Sequence, residues 1–167
     1  MVLKLCNMIH NNKMDTPQNH IWGPHLWMIL HSSAERIGSP KNRLSNEELR
    51  VWHSVLNSLR YSLPCPQCKK HFNEYYSKNP IGSFNKETIR TWLFQLHQHI
   101  NIANNKHADY TIDKVEQQYM QPFCFSSHLQ ILRSQMVAGI RLHWTTRDDI
   151  QRTIRLFEEM KRYYDFF

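Results

Sequence analysis

Apolar residues recur three and four apart over most of the chain, the spacing that places them on one face of a helix. Leu26, Trp27, Leu30, Ala34 and Ile37 mark a first helix from Pro24. A proline fits the first helical turn, where its missing N–H costs nothing. Gly38-Ser39-Pro40 ends that helix. Ser45 with Glu48 forms a capping box and opens a second helix, carrying Leu49, Trp52, Val55, Leu56, Leu59 and Leu63 and broken by Pro64-Cys65-Pro66. A third begins at Pro66 and runs through Phe72 and Tyr75 towards Lys78. After the loop Pro80-Ile81-Gly82-Ser83 comes a fourth, with Ile89, Trp92, Leu93, Leu96 and Ile100 on its apolar face. Polar residues from Asn101 to Asp109 read as its end plus a loop. A short fifth helix spans about Thr111 to Met120 with Val115 and Tyr119 inward. Residues 126–143 and 146–165 read as two more. Leu129, Leu132, Met136 and Ile140 line one, and Ile150, Ile154, Phe157 and Met160 line the other. Thr145 or Thr146 followed by Asp148 and Asp149 is a good helix start. The polar residues 1–20 read as a flexible arm.

Composition agrees with an all-α reading. Of 167 residues, 41% are hydrophobic and 21% charged, enough for a core and against wholesale disorder. Only 4 Gly and 7 Pro occur, which favours long helices over a loop-rich or β-sandwich design. The formal charge of +7 suits phosphate-bearing ligands, nucleic acid or acidic partners without choosing among them. No apolar run is long enough for a membrane span, and Met1 to His10 has no signal-peptide core. Four cysteines are too sparse for a secreted disulfide scaffold.

The sharpest chemical signal is Cys65-Pro66-Gln67-Cys68. Two cysteines three apart can close a small disulfide, and the N–H groups of a helix start stabilise a thiolate. Zinc is the alternative, through Cys65, Cys68, His71 and another histidine. No second clear ligand pair follows, because His97 and His99 lie about 200° apart around a helix. A thioredoxin fold would need strands around the pair. Trp27 and His31 are four apart and share a face, as do His97 and Asn101, with Trp92 five before His97. A tryptophan on an amphipathic helix is more often core than ligand-binding. The coincidence of such faces with a CPxC pair shifts that balance.

Taken in order, Trp22-Gly23-Pro-x-x-Trp27-x-x-Leu30-His31, Cys65-Pro-x-Cys68-x-x-His71-Phe72 and Trp92-x-x-x-Leu96-His97-x-x-Ile100-Asn101 resemble the Erv/ALR flavin-linked sulfhydryl oxidases over about residues 22–124. The resemblance implies a four-helix bundle plus a short fifth helix cradling FAD, with an additional C-terminal helical segment here. It implies that substrate dithiols exchange with the disulfide, and that electrons pass through FAD to oxygen, giving hydrogen peroxide. By the same resemblance Cys65 looks like the outer cysteine and Cys68 the flavin-proximal one. Trp22, Gly23, Trp27, His31, His71, Phe72 and Trp92 fall in the motifs that line the cofactor. His97 and Asn101 match the segment that holds the adenosine part, Lys106 falls at the pyrophosphate lysine, and Tyr119 falls at a ring that stacks on the nucleotide. No metal is implied.

Three departures stand out. Gln98 replaces an asparagine, Lys106 is followed by His107 rather than proline, and Ile112 occupies one position of the family's structural disulfide. Cys124 is then a buried free thiol, a partner of Cys6, or leaves Cys6 as an electron relay. The short form with an extra helical tail resembles the oxidases of large DNA viruses. That implies thiol-containing protein substrates or a thioredoxin-like relay protein, oxygen as acceptor, and a cytoplasmic or virion setting; a cellular member would sit in the mitochondrial intermembrane space. The division expected is an arm at 1–20, an oxidase domain at 21–125 and an extension at 126–167. The extension's two apolar stripes need a partner surface, either the bundle or a second subunit, so a homodimer is expected. The basic tail, with Arg133, Arg141, Arg147, Arg152, Arg155, Lys161 and Arg162, keeps one other reading open, a zinc-linked basic helical binding module. A solvated face explains those charges better than nucleic acid does.

Overall fold

The structure is a computed structural model that describes residues 16–40, 45–106 and 110–165. It comprises α1 (Asn19–Glu35), α2 (Ser45–Ser62), α3 (Pro66–Lys78), α4 (Lys86–Ala103), α5 (Ile112–Tyr119), α6 (Phe125–Arg141) and α7 (Arg147–Tyr164), with no strand among the described residues. The arm's first fifteen residues lie outside that description, as do Phe166 and Phe167.

Local chemistry sets most of the helix ends. Asn85 and Thr88 close a reciprocal capping box at the start of α4. Thr111 and Thr146 accept from the backbone N–H groups of Lys114 and Asp149 to start α5 and α7. The start of α1 departs from the sequence expectation. It opens at Asn19, and Pro24 lies inside it. The carbonyl that Pro24 leaves without a backbone donor is that of His20, an exposed residue that water can serve. The cap residue Gln18 makes no side-chain cap bond; its backbone N–H is held instead by Gln135 Oε1 of α6 at 2.8 Å.

The core gathers Trp52, Leu56 and Leu59 of α2, Ile29 and Leu30 of α1, Ile89, Leu93 and Leu96 of α4, and Leu132 and Phe157 of the last two helices, all fully buried. Each such side chain contributes about 1.5–3 kcal/mol by leaving water. The tail belongs to this core. Helix α6 packs along α1 and α7 along α2, so both apolar stripes are covered within the chain. At the far end of α7, Tyr164 gives its hydroxyl proton to the buried carboxylate of Glu48 at 2.6 Å and accepts from Trp52 Nε1 at 2.8 Å.

Two arginines hold α5 in place. Arg90 of α4 pairs with Glu35, Glu87 and Glu116 at 2.8, 3.2 and 2.9 Å, joining α1, α4 and α5. Arg36, buried beyond the end of α1, donates to the carbonyls of Ser32, Tyr119, Met120 and Gln121 at 2.8–3.1 Å. Those last carbonyls of a short helix have no partner of their own, so the guanidinium supplies one.

Candidate active site

Cys65 and Cys68 form a disulfide at the start of α3. Cys65 is the N-cap residue, Pro66 follows inside the first turn, and Cys65 Sγ accepts from the backbone N–H of Cys68 at 3.1 Å. Both cysteines are half-buried. An N–H group aimed at sulfur, together with the dipole of a 13-residue helix, favours thiolate over thiol when the bond opens. The zinc alternative finds no support here. The two thiols are consumed by each other, His71 is exposed, and no cluster of three or more possible ligands occurs among the described residues.

Four of the ring residues singled out from sequence come together between α1, α4 and α5. Trp27 stacks on His97 with ring centres 4.0 Å apart and planes 8° from parallel. His31 stacks on Tyr119 at 4.6 Å, and His31 Nε2 lies 3.0 Å from His97 Nδ1. One nitrogen donates and the other accepts across that contact, so the two rings cannot both carry a charge there. Burial lowers His31 to about 3, helped by the neighbouring His97. Burial also lowers His97 to about 4, helped by the charge of Lys106. Lys106 itself is exposed, its backbone N–H held by Asn101 O at 2.8 Å across a turn in which Asn105 has φ 54°. Asparagine tolerates that left-handed conformation better than most residues.

The other predicted residues are placed differently. Trp92 donates through Nε1 to Asn79 O at 2.7 Å and meets Phe72, Tyr75 and Tyr76 edge-on at 5.5–6.0 Å. This aromatic group braces α3 against α4, so Trp92 and Phe72 have packing partners of their own. Trp22 is buried, and its indole N–H has no partner among the described residues. Gly23 has open space where a side chain would stand.

Sequence reasoning missed two participants. Tyr110 faces His97 with ring centres 5.9 Å apart, and its backbone carbonyl accepts from Gln98 Nε2 at 3.1 Å. It sits in an irregular segment where periodicity gives no signal. A second histidine pair, His25 Nδ1 and His128 Nδ1 at 2.8 Å, joins α1 to α6. Cys124 is disulfide-bonded, which sets aside the free-thiol reading. Its sulfur also accepts from Ser127 Oγ at 3.1 Å. A bridge to Cys6 falls outside the described residues.

Comparison with known proteins places these features. The model of the Erv1/Alr family matches residues 24–120. An FAD-linked sulfhydryl oxidase of African swine fever virus is 35% identical over 85 residues, 51% of this chain and 69% of that protein. A probable FAD-linked sulfhydryl oxidase of Acanthamoeba polyphaga mimivirus is 28% identical over 51% of this chain and 59% of its own length. The mitochondrial FAD-linked sulfhydryl oxidase of Saccharomyces cerevisiae is 26% identical over 53% and 46%. No solved structure matches significantly. With the CPQC disulfide and the ring stack both inside the matched span, the chain belongs to the Erv1/Alr family.

Proposed function

We propose that the chain is an FAD-dependent sulfhydryl oxidase, acting on thiols and oxygen to give disulfides and hydrogen peroxide. The observation that carries this is the Cys65–Cys68 disulfide at a helix N-terminus in a chain of this family. The residues of the ring site suit the cofactor. Trp27 and Tyr119 supply flat apolar walls. His31 and His97, kept neutral by burial, spend one ring nitrogen each on their mutual contact and leave one donor and one acceptor between them for a heterocycle edge. The unpartnered N–H of Trp22 lies on the same helix, and Lys106 provides a cation near His97 for a phosphate. Bound FAD would accept the electron pair of the reduced cysteines and deliver it to oxygen.

The remaining steps belong to this chain. A substrate thiolate attacks Cys65, forming a mixed disulfide and releasing Cys68 as a thiolate. A second substrate thiol then displaces Cys65, leaving both cysteines reduced and the substrate oxidised. The first turn of α3 holds the sulfur charge through these steps. Within this reading Trp22, Gly23, Trp27, His31, His71, Phe72, Trp92, His97, Asn101, Lys106 and Tyr119 form or border the cofactor site, and the extension from residue 126 lies outside it.

The substrates are thiol-containing proteins, reached directly or through a thioredoxin-like relay, and the setting is a host cytoplasm or virion. Among the described residues no helix is long and apolar enough to cross a membrane. A homodimer would need a face other than the tail's stripes, which are already covered. The test is oxygen consumption with a small dithiol. Cys65→Ser or Cys68→Ser is expected to abolish turnover while the yellow flavin absorbance stays. Undiminished turnover in either variant sinks the assignment of the redox centre.

A further inference from the structure

A cleft of about 710 Å³ lies between the α2–α3 corner and the α6–α7 turn, and Lys69, the residue after Cys68, is in its lining. We infer that this cleft docks an acidic stretch flanking the reactive cysteines of a protein substrate, an inference that rests on the oxidase reading above. Three independent observations lead there.

The first is position. One wall carries Lys69, next in sequence to Cys68, with its backbone N–H on Cys65 O at 3.0 Å. The opposite wall reaches the same corner from the tail. Gly139 of α6 approaches Pro64 so closely that an added Cβ would stand 3.3 Å from the proline's own. Lys69 Nζ bonds the carbonyl of Trp144 and ties the two walls together. A segment lying in the cleft therefore runs past Lys69, one residue beyond the CPQC turn.

The second is charge. Arg60, Lys69 and Arg147 line the cleft. Arg60 bonds only amide oxygens, Asn73 Oδ1 at 2.8 Å and Asn57 Oδ1 at 3.4 Å, and lies over the rings of Tyr61 and Tyr76. Lys69 bonds a neutral carbonyl, and no described carboxylate pairs with Arg147. The lining holds one acid, Asp149, against these three cations, so the cleft keeps a net positive charge. Helix α7 also begins at this cleft, but Asp148 and Asp149 in its first turn offset its dipole, so the positive field is that of the three cations. Cations whose partners are all neutral keep their attraction for an incoming acidic chain.

The third is size. A space of this volume takes a few side chains, not a domain. Exposed Tyr61 and half-buried Trp144 give it an aromatic floor for a short extended segment.

The experiment compares reduced dithiol peptides that differ only in flanks, aspartate and glutamate in one and lysine in the other, with dithiothreitol as the uncharged reference. At low ionic strength the acidic-flanked peptide is expected to show a KM lower by on the order of fivefold, a gap that salt shrinks. Arg147→Glu should close most of that gap while leaving dithiothreitol turnover and flavin absorbance unchanged, and Arg147→Lys should keep it. Equal KM for the two peptides at low salt overturns the inference, as does an Arg147→Glu variant that slows peptide and dithiothreitol alike. Absence of dithiothreitol turnover in the unaltered chain overturns the oxidase reading itself, and this inference with it.

Discussion

Helix α1 carries two histidine pairs of nearly the same internal geometry, and their surroundings set them apart. His31 meets His97 at 3.0 Å between rings of Trp27 and Tyr119. His25 meets His128 at 2.8 Å, with Phe123 stacked on the second ring. Burial keeps both pairs below the ordinary imidazole range, with His128 lowered to about 4 and His25 lowered as well. The first pair is bounded by flat faces that a planar ligand can share. The second joins α1 to α6, across the boundary of the family-matched span. The second contact fastens the tail to α1, whereas the first would wall a ligand under the function proposed above.

The largest expected effect separates the two directly. His31→Ala should strip the purified protein of most of its flavin, and His128→Ala should not. Absorbance ratios of the purified variants measure this; equal flavin loss in both would erase the distinction. The next effect isolates the fastening at the other end of the tail. Tyr164→Phe removes the hydroxyl between Glu48 and Trp52, leaves a buried carboxylate short of a donor, and should cost about 1–3 kcal/mol. Denaturant melts would show it, with flavin content unchanged. The smallest effect concerns acid. His31, His97 and His128 titrate lower when folded than the ordinary 6.5, so the unfolded chain binds protons first. Stability is therefore full above pH ~6.5 and falls as pH drops towards ~4, by up to roughly 1–2 kcal/mol per ring at pH 5. His128→Gln should flatten that fall by about one ring's share in melts across this range.

Much of this architecture is legible in the sequence because its causes are local. Apolar spacing marks the helices described, the threonine before Asp148 and Asp149 marks the start of α7, and the CPxC spacing at a proline-led helix marks the redox turn. What escapes is set by distant partners. The start of α1 depends on Gln135 reaching Gln18 across 117 residues of chain. Glu48 reads as half of a capping box, yet its carboxylate receives Tyr164 from 116 residues away and the backbone N–H of Gly38. Nothing local marks Arg36, just past the end of α1, yet it is buried because four carbonyls need its protons. The second histidine pair pairs residues 103 apart, which no periodicity reveals.

The grip of Arg36 on α5 has a consequence for how the molecule opens. An eight-residue helix does not persist alone, so α5 depends on its anchors, Arg90 at Glu116 and Arg36 at the carbonyls of its C-terminal end. Release of the Arg36 guanidinium frees the Tyr119, Met120 and Gln121 carbonyls together, and with them the ring that covers His31. Amide protons along α5 should therefore exchange with solvent as one cooperative unit, faster than those of α2 and slowed when a ligand occupies the ring site. On the cofactor site proposed above, the dwell time of a bound nucleotide would then follow local unfolding of this segment, a rate that temperature tunes more steeply than diffusion from an open groove.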